Sequence, residues 1–228
     1  MRTRDVAGEF VLRELDVYHD VEPRSAALNM AVDEALLEFA PTPSIRFYSW
    51  RRPALSFGYF GAYAEVADEA EERELVRRWT GGGIVLHGAD QTYSLILPQP
   101  HAAEARSARA VYSAIHGAIQ RALAGNLDAV LAQQDAPKIS DACFANPVVA
   151  DVLVNGRKIA GAAQRRTRAG LLHQGSVQHS DLPTDFITAF ARALCPHHRF
   201  RSLSGQLLQR AHEIAKQKYE TPGWLHRR

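Results

Sequence analysis

Apolar residues recur along this chain with two distinct periods. Between Ser25 and Phe39, Leu28, Val32, Leu36 and Phe39 fall three or four residues apart, which predicts an amphipathic helix. Val111, Ile115, Ile119 and Leu123 form a second helical stripe, stopped by Gly125-Asn126. The C-terminal part returns to helix at Thr184–Leu194 and Gly205–Gln217, and the acidic run Glu65–Arg73 predicts a solvated helix. Strand-like segments lie at Phe10–Tyr18, Ser44–Trp50, Ala54–Phe57, Leu75–Trp79 and Gln91–Leu97. Three more follow closely at Val148–Val154, Lys158–Arg165 and Leu171–Gln178, joined by Asn155-Gly156, which suits a tight hairpin, and by the Arg168-Ala169-Gly170 turn. Without repeats or a linker, the pattern predicts an α+β fold in a single domain over residues 1–228.

Composition narrows the function classes. Hydrophobic residues make up 46% and charged residues 23%, as in ordinary globular proteins. No apolar run reaches the roughly 18 residues of a membrane span, and the first ten residues lack the apolar stretch of a secretory signal. Two cysteines, Cys143 and Cys195, make no disulfide framework and fit a reducing compartment, so the expected location is the cytoplasm. A net charge of +2 argues against nucleic acid as the partner. Cys195-Pro196-His197-His198 is isolated and reads as a helix terminus, and no metal site is expected.

Two stretches carry candidate chemistry. The first is Arg77-Arg78-Trp79-Thr80-Gly81-Gly82-Gly83, with His87 four residues on. Three glycines remove every β-carbon, so the backbone approaches a ligand closely, and their amides beside two arginines can cradle an anion. The spacing fits neither a P-loop nor a dinucleotide fingerprint, and a flexible hairpin explains it equally well. His87 reads as a general base, a metal ligand or a structural hydrogen-bonding group. The second stretch holds Lys158, followed by Ile159-Ala160-Gly161-Ala162-Ala163. A lysine among small residues can hold an acyl, carboxyl or phosphate oxygen, or simply sit solvated in a turn. Cys143, in Ala142-Cys143-Phe144, reads as a thiolate nucleophile or as a buried inert thiol.

Taken together these stretches resemble the lipoate–protein ligase and octanoyltransferase family, which shares its catalytic fold with biotin protein ligases. The resemblance rests on Arg-Arg-Trp-Thr-Gly-Gly-Gly with His87 downstream, and on Gly156-Arg157-Lys158-Ile159-Ala160-Gly161-Ala162-Ala163-Gln164 followed by His173-Gln174-Gly175-Ser176. Asn29-Met30-Ala31-Val32-Asp33-Glu34 and Arg46-Phe47-Tyr48-Ser49-Trp50 also resemble family motifs, in the expected order. The family implies a mixed sheet flanked by helices, with an acyl chain in a tunnel beside the triple glycine. It implies that Lys158 contacts the acyl carbonyl, and that Arg78, Thr80, Gly81, Gly82, Gly83, His87, Gly161, Ala162, His173 and Gly175 form the binding site.

The family divides by chemistry. Around Cys143 the chain resembles the octanoyltransferase branch with a cysteine nucleophile: Ala-Cys-Phe-x-x-Pro, an acidic residue (Asp151), then Gly-Arg-Lys. That branch implies an octanoyl or lipoyl group moved through a Cys143 thioester onto a lysine of a lipoyl-carrier domain, such as a glycine-cleavage H protein or a dehydrogenase E2. Acyl carrier protein would be the donor, and no cofactor would be required. The alternative is an ATP-dependent lipoate–protein ligase that uses ATP and magnesium and works through a lipoyl-adenylate, either alone or with a separate accessory subunit. The chain is expected to lack the family's C-terminal accessory domain. A biotin ligase is disfavoured because a Gly-Arg-Gly-Arg loop is absent, and a non-enzymatic carrier-docking subunit because Cys143 and Lys158 are both present. The basic residues from Arg157 to Arg168 suit docking of an acidic carrier.

Overall fold

The computed structural model describes residues 10–105, 107–137, 144 and 146–227. Its strands are β1 (Leu15–Arg24), β2 (Ser44–Trp50), β3 (Ala54–Phe57), β4 (Glu74–Arg77), β5 (Val85–His87), β6 (Gln91–Pro98), β7 (Ala129–Leu131), β8 (Val152–Val154), β9 (Arg157–Arg166), β10 (Gly170–Val177) and β11 (His198–Arg201). The helices are α1 (Ala26–Phe39), α2 (His101–Glu104), α3 (Ala108–Leu123), α4 (Phe186–Leu194), α5 (Gly205–Ile214) and α6 (Pro222–Leu225). Among the described residues the strands make an eight-stranded sheet, ordered β11-β1-β2-β6-β10-β9-β8-β7, and a small sheet, β4-β3-β5. The large sheet is mixed: β1 runs parallel to both β2 and β11, and the other pairs are antiparallel. The expected α+β class, a mixed sheet flanked by helices, is the observed one.

Side-chain alternation gives the sheet two buried faces. Ile45 and Phe47 of β2, with Tyr93, Leu95 and Leu97 of β6, pack against α3 and α4. The intervening Tyr48, Trp50 and Ile96 turn the other way, under α1 and α5. Ser25 and Ser204 cap α1 and α5 by accepting the amides of Leu28 and Leu207. The Asn155-Gly156 hairpin forms as the dipeptide predicts, with both residues at positive φ.

Several boundaries differ from the sequence pattern. The first strand is Leu15–Arg24 rather than Phe10–Tyr18, because the polar residues after Tyr18 pair with β2 and reach a buried ionic network. The acidic run expected as a helix forms two short 3₁₀ turns, Tyr63–Glu65 and Ala67–Glu71. The strand expected at Val148–Val154 begins only at Val152, since Ala150 adopts φ 71° and Asp151 folds back onto the Val148 amide. Strands β5, β7 and β11 were not predicted; with three or four residues each, they carry too few alternations to stand out.

Candidate active site

The site is built on the α1 face of the sheet, above an unusual polar layer. Arg46 is fully buried and pairs with Asp20 at 2.7 Å and Asp33 at 2.9 Å, and it donates to the Asn29 side chain and carbonyl. Asp33 also accepts from Ser94, Tyr48 and Gln174. This contact explains why the Asn29–Glu34 and Arg46–Trp50 motifs occur together: one supplies the anion and the other the cation of a single network. Gln174 extends the network by accepting the Thr80 hydroxyl at 2.8 Å, which moors the glycine stretch to β10.

Beside this layer lies a slot lined by Met30, Tyr48, Trp50, Val85, Gly161, Ala162, Ala163 and Gly175, with Ser56, Arg78, His87, Thr92, Gln174 and Ser176 among them. It is narrow, and its surface is mostly apolar. The polar lining residues are occupied with one another. Asp90 accepts from Thr92 at 2.7 Å and Ser176 at 2.6 Å, and lies 2.8 Å from His87 Nδ1. Burial alone pushes the Asp90 carboxyl up, but the hydrogen bonds from His87, Ser176 and Thr92 bring it below its ordinary value. A carboxylate at Nδ1 favours the proton there, and His87 Nε2 lies within hydrogen-bond reach of the Ser56 hydroxyl at 2.7 Å. The order Ser56–His87–Asp90 is that of an activated serine. Here, however, Arg78 donates to Ser56 Oγ at 2.7 Å and takes up a lone pair a nucleophile needs. Trp50 stacks on His87 with centroids 4.1 Å apart, so the network forms a rigid wall with an aromatic surface.

Two glycines shape the slot. Gly82 sits at φ 85°, where an added Cβ would lie 3.3 Å from both Ala163 and Arg78. At Gly161 an added Cβ would fall 2.5 Å from Lys158 Cε, so the absence of a side chain opens the path that the lysine follows. Lys158 is 5% exposed, and its Nζ lies 2.8 Å from Asp151 Oδ2. Together with Gly83, Ile84, Tyr112 and Asn146 it lines a wider mouth, which shares Gly82 and Ala162 with the slot. Phe144 turns its ring toward the lysine, 5.4 Å from Nζ. Cys143 lies outside the described residues.

The structure therefore gathers Arg78, Gly82, His87, Gly161, Ala162 and Gly175 on the slot, and Gly83 and Lys158 on the adjoining mouth, which shares Gly82 and Ala162 with it. Thr80, Gly81 and His173 stand elsewhere. Thr80 is buried against Gln174, and a Cβ added at Gly81 would meet nothing within 4 Å. His173 points to the opposite face, between Tyr93 and Gln164, where burial holds its imidazole well below the usual histidine range. The sequence motifs include Tyr48, Trp50, Asp151 and Ser176 without giving them a place in the site, and nothing in the sequence analysis marks Ser56 and Thr92 on the slot or Tyr112 behind the lysine. The period-2 alternation of β2 and β6 could have flagged Trp50 and Thr92, since both fall on the face opposite the apolar core.

The site is thus an apolar slot on a mixed sheet, with Gly82 in its wall and the buried Lys158 at the adjoining mouth. Residues 25–204 match the family described as lipoyl protein ligase A/B catalytic domain, and the chain belongs to that family. The octanoyltransferase LipM of Oceanobacillus iheyensis is 37% identical over 177 residues, covering 73% of this chain and 64% of the relative. That of Staphylococcus aureus is 37% identical over 166 residues, covering 65% of this chain and 60% of the relative. The chain thus spans less than two thirds of the length of these relatives. Among solved structures, a lipoate-protein ligase A bound with ATP superposes with a TM-score of 0.73 at 19% identity, covering 95% of this chain and 99% of the other. The bipartite lipoate protein ligase of Thermoplasma acidophilum, solved with its E2 lipoyl domain, gives 0.68 at 19% identity, covering 94% and 96%. These two show the fold.

Proposed function

We propose that this chain transfers an octanoyl group from a thioester donor to a lysine of a lipoyl-carrier domain, through a thioester on Cys143. The observation that carries this reading is the apolar slot beside a wider mouth at which a buried, ion-paired lysine stands. A saturated eight-carbon chain needs a surface without unmet donors, and the slot's polar groups already satisfy one another. The octanoyltransferase relatives support the choice of acyl group. Phe144, one peptide link beyond Cys143, stands at Lys158.

In the first step the Cys143 thiolate attacks the donor carbonyl. A new C–S bond forms, the donor C–S bond breaks, and the donor leaves as a thiol after taking up a proton. Thioester is exchanged for thioester, so no ATP is consumed. In the second step the neutral amine of the acceptor lysine attacks. An amide forms, Cys143 departs as a thiolate, and the amine's proton passes to solvent. Both steps place negative charge on the carbonyl oxygen, which the Lys158 ammonium stabilises from a fixed position. The donor is an acyl carrier protein, and the acceptor is a lipoyl domain of the kind found in E2 or H proteins. The work is done in the cytoplasm, and among the described residues no helix is long and apolar enough to cross a membrane.

The test is Cys143→Ser assayed with an octanoyl-carrier donor, with Cys195→Ser as control. Cys195 is buried at the end of α4, its thiol facing the Leu12 carbonyl. Loss of transfer in the first variant and retention in the second is the expected result. Full ATP-dependent lipoylation by Cys143→Ser would instead establish the ligase chemistry.

A further inference from the structure

Asp151 takes no part in the acyl-transfer steps above, yet it is the best-anchored ionisable group near them. It sits fully buried in the turn before β8. Oδ2 accepts from Lys158 Nζ at 2.8 Å and from the Val148 amide at 2.7 Å, while Oδ1 accepts the Tyr112 hydroxyl at 2.5 Å. A carboxylate removed from water needs both donors and a counter-charge. His116, 4.0 Å from Oδ1, does not supply the charge: its Nδ1 proton goes to the Ala150 carbonyl, and burial pushes the imidazole down to about 4. Among the described residues the cation facing Asp151 is Lys158.

Tyr112 carries the arrangement further. Its hydroxyl oxygen also accepts the Ala162 amide at 3.3 Å, and Ala162 belongs to both slot and mouth. Burial and the Asp151 carboxylate both hold the phenol protonated, well above its ordinary value, so it remains a donor to Oδ1. A continuous chain, Lys158–Asp151–Tyr112–Ala162, therefore ties the position of the ammonium to the slot wall.

Resting on the acyl-transfer reading, we infer that Asp151 is a positioning residue: anchored by Tyr112 and the Val148 amide, it fixes the Lys158 ammonium where the acyl carbonyl develops charge. A free lysine side chain loses rotamer entropy when it is ordered. Pinning it in the folded protein removes that cost from the reaction, which is the advantage of preorganised charge. An ion pair with a merely structural role would affect stability alone.

The experiment compares Asp151→Asn, Asp151→Glu and Tyr112→Phe. Three quantities are measured: steady-state octanoyl transfer from a thioester donor to a lipoyl domain, binding of free octanoate, and thermal unfolding. In folded Asp151→Asn, kcat is expected to fall about a hundredfold, the scale of one lost oxyanion donor, with donor KM and octanoate affinity within about threefold. Asp151→Glu should regain a substantial part of kcat. Tyr112→Phe, which keeps every charge, should lower kcat about tenfold with octanoate binding unchanged, and it serves as the test if Asp151→Asn does not fold. Near-normal kcat in a folded variant overturns the inference. So does a kcat that falls only in proportion to the folded fraction and to octanoate affinity. If the wild type works only with lipoate and ATP, the transferase reading fails, and the same series is scored in that assay. A kcat loss there upholds the role of Asp151, and an unchanged kcat overturns it.

Discussion

On the proposed reaction, Lys158→Ala removes more than the group that would meet the acyl carbonyl. It also strands the Asp151 carboxylate, which is fully buried and faces the ammonium at 2.8 Å. Transfer should be abolished, and stability should fall by about 3–5 kcal/mol, the cost of leaving one member of a buried pair uncompensated. Chemical denaturation and a transfer assay on the same preparation check both parts. His116 yields a second prediction. Its folded-state value of about 4 lies below the ordinary 6.5, so between these pH values the unfolded chain binds the proton that the folded chain refuses. Stability contributed this way is fully present above pH 6.5 and is lost as pH falls toward 4, on the order of 3 kcal/mol. His173 acts in the same direction. The midpoint of thermal unfolding should drop steadily from pH 7 to pH 4, and His116→Gln should flatten the decline. Lys158 and the triple glycine were legible in the sequence because each lies in a contiguous motif. Tyr112 was read only as part of a helix, and its place against Asp151, 39 residues away, depends on a fold that pattern alone does not specify.

Strand β2 and helix α1 are locked by the Arg46–Asp33 pair, in which both side chains are fully buried. Asp33→Ala should cost about 3–5 kcal/mol and loosen the slot through Gln174 and Thr80, measurable as a lower denaturation midpoint with weaker octanoate binding. The glycine stretch makes a sharper test. Gly82→Val forces a β-branched residue to φ 85° and drives its side chain toward Ala163, so octanoate affinity should weaken at least about tenfold. An unchanged affinity would make the triple glycine a turn and nothing more. At this level the sequence was informative for long periodic segments such as α1, α3 and β10. It was misleading where polarity is buried. The residues after Tyr18 look like a loop because they are acidic, yet they pair with β2 and feed Asp20 into the Arg46 network.

The molecule as a whole is a mixed sheet with apolar packing on both faces and a slot opened on one of them by small and polar residues. Coulombic partners are buried together, Arg46 with Asp33 and Lys158 with Asp151. The first ties β2 to α1, and the second is the pair to which the proposed reaction gives a catalytic role. Membership of the lipoyl protein ligase A/B family fits this arrangement, and the proposed octanoyl transfer assigns it a reaction. The most direct measurement is the intact mass of the protein after mixing with an octanoyl-carrier thioester, in the absence of ATP. The account predicts that the wild type gains one octanoyl group, that Cys143→Ser gains none, and that adding a lipoyl domain discharges the adduct onto the domain's lysine. An enzyme that stays unmodified by the thioester, yet lipoylates the same domain when given lipoate and ATP, would contradict it.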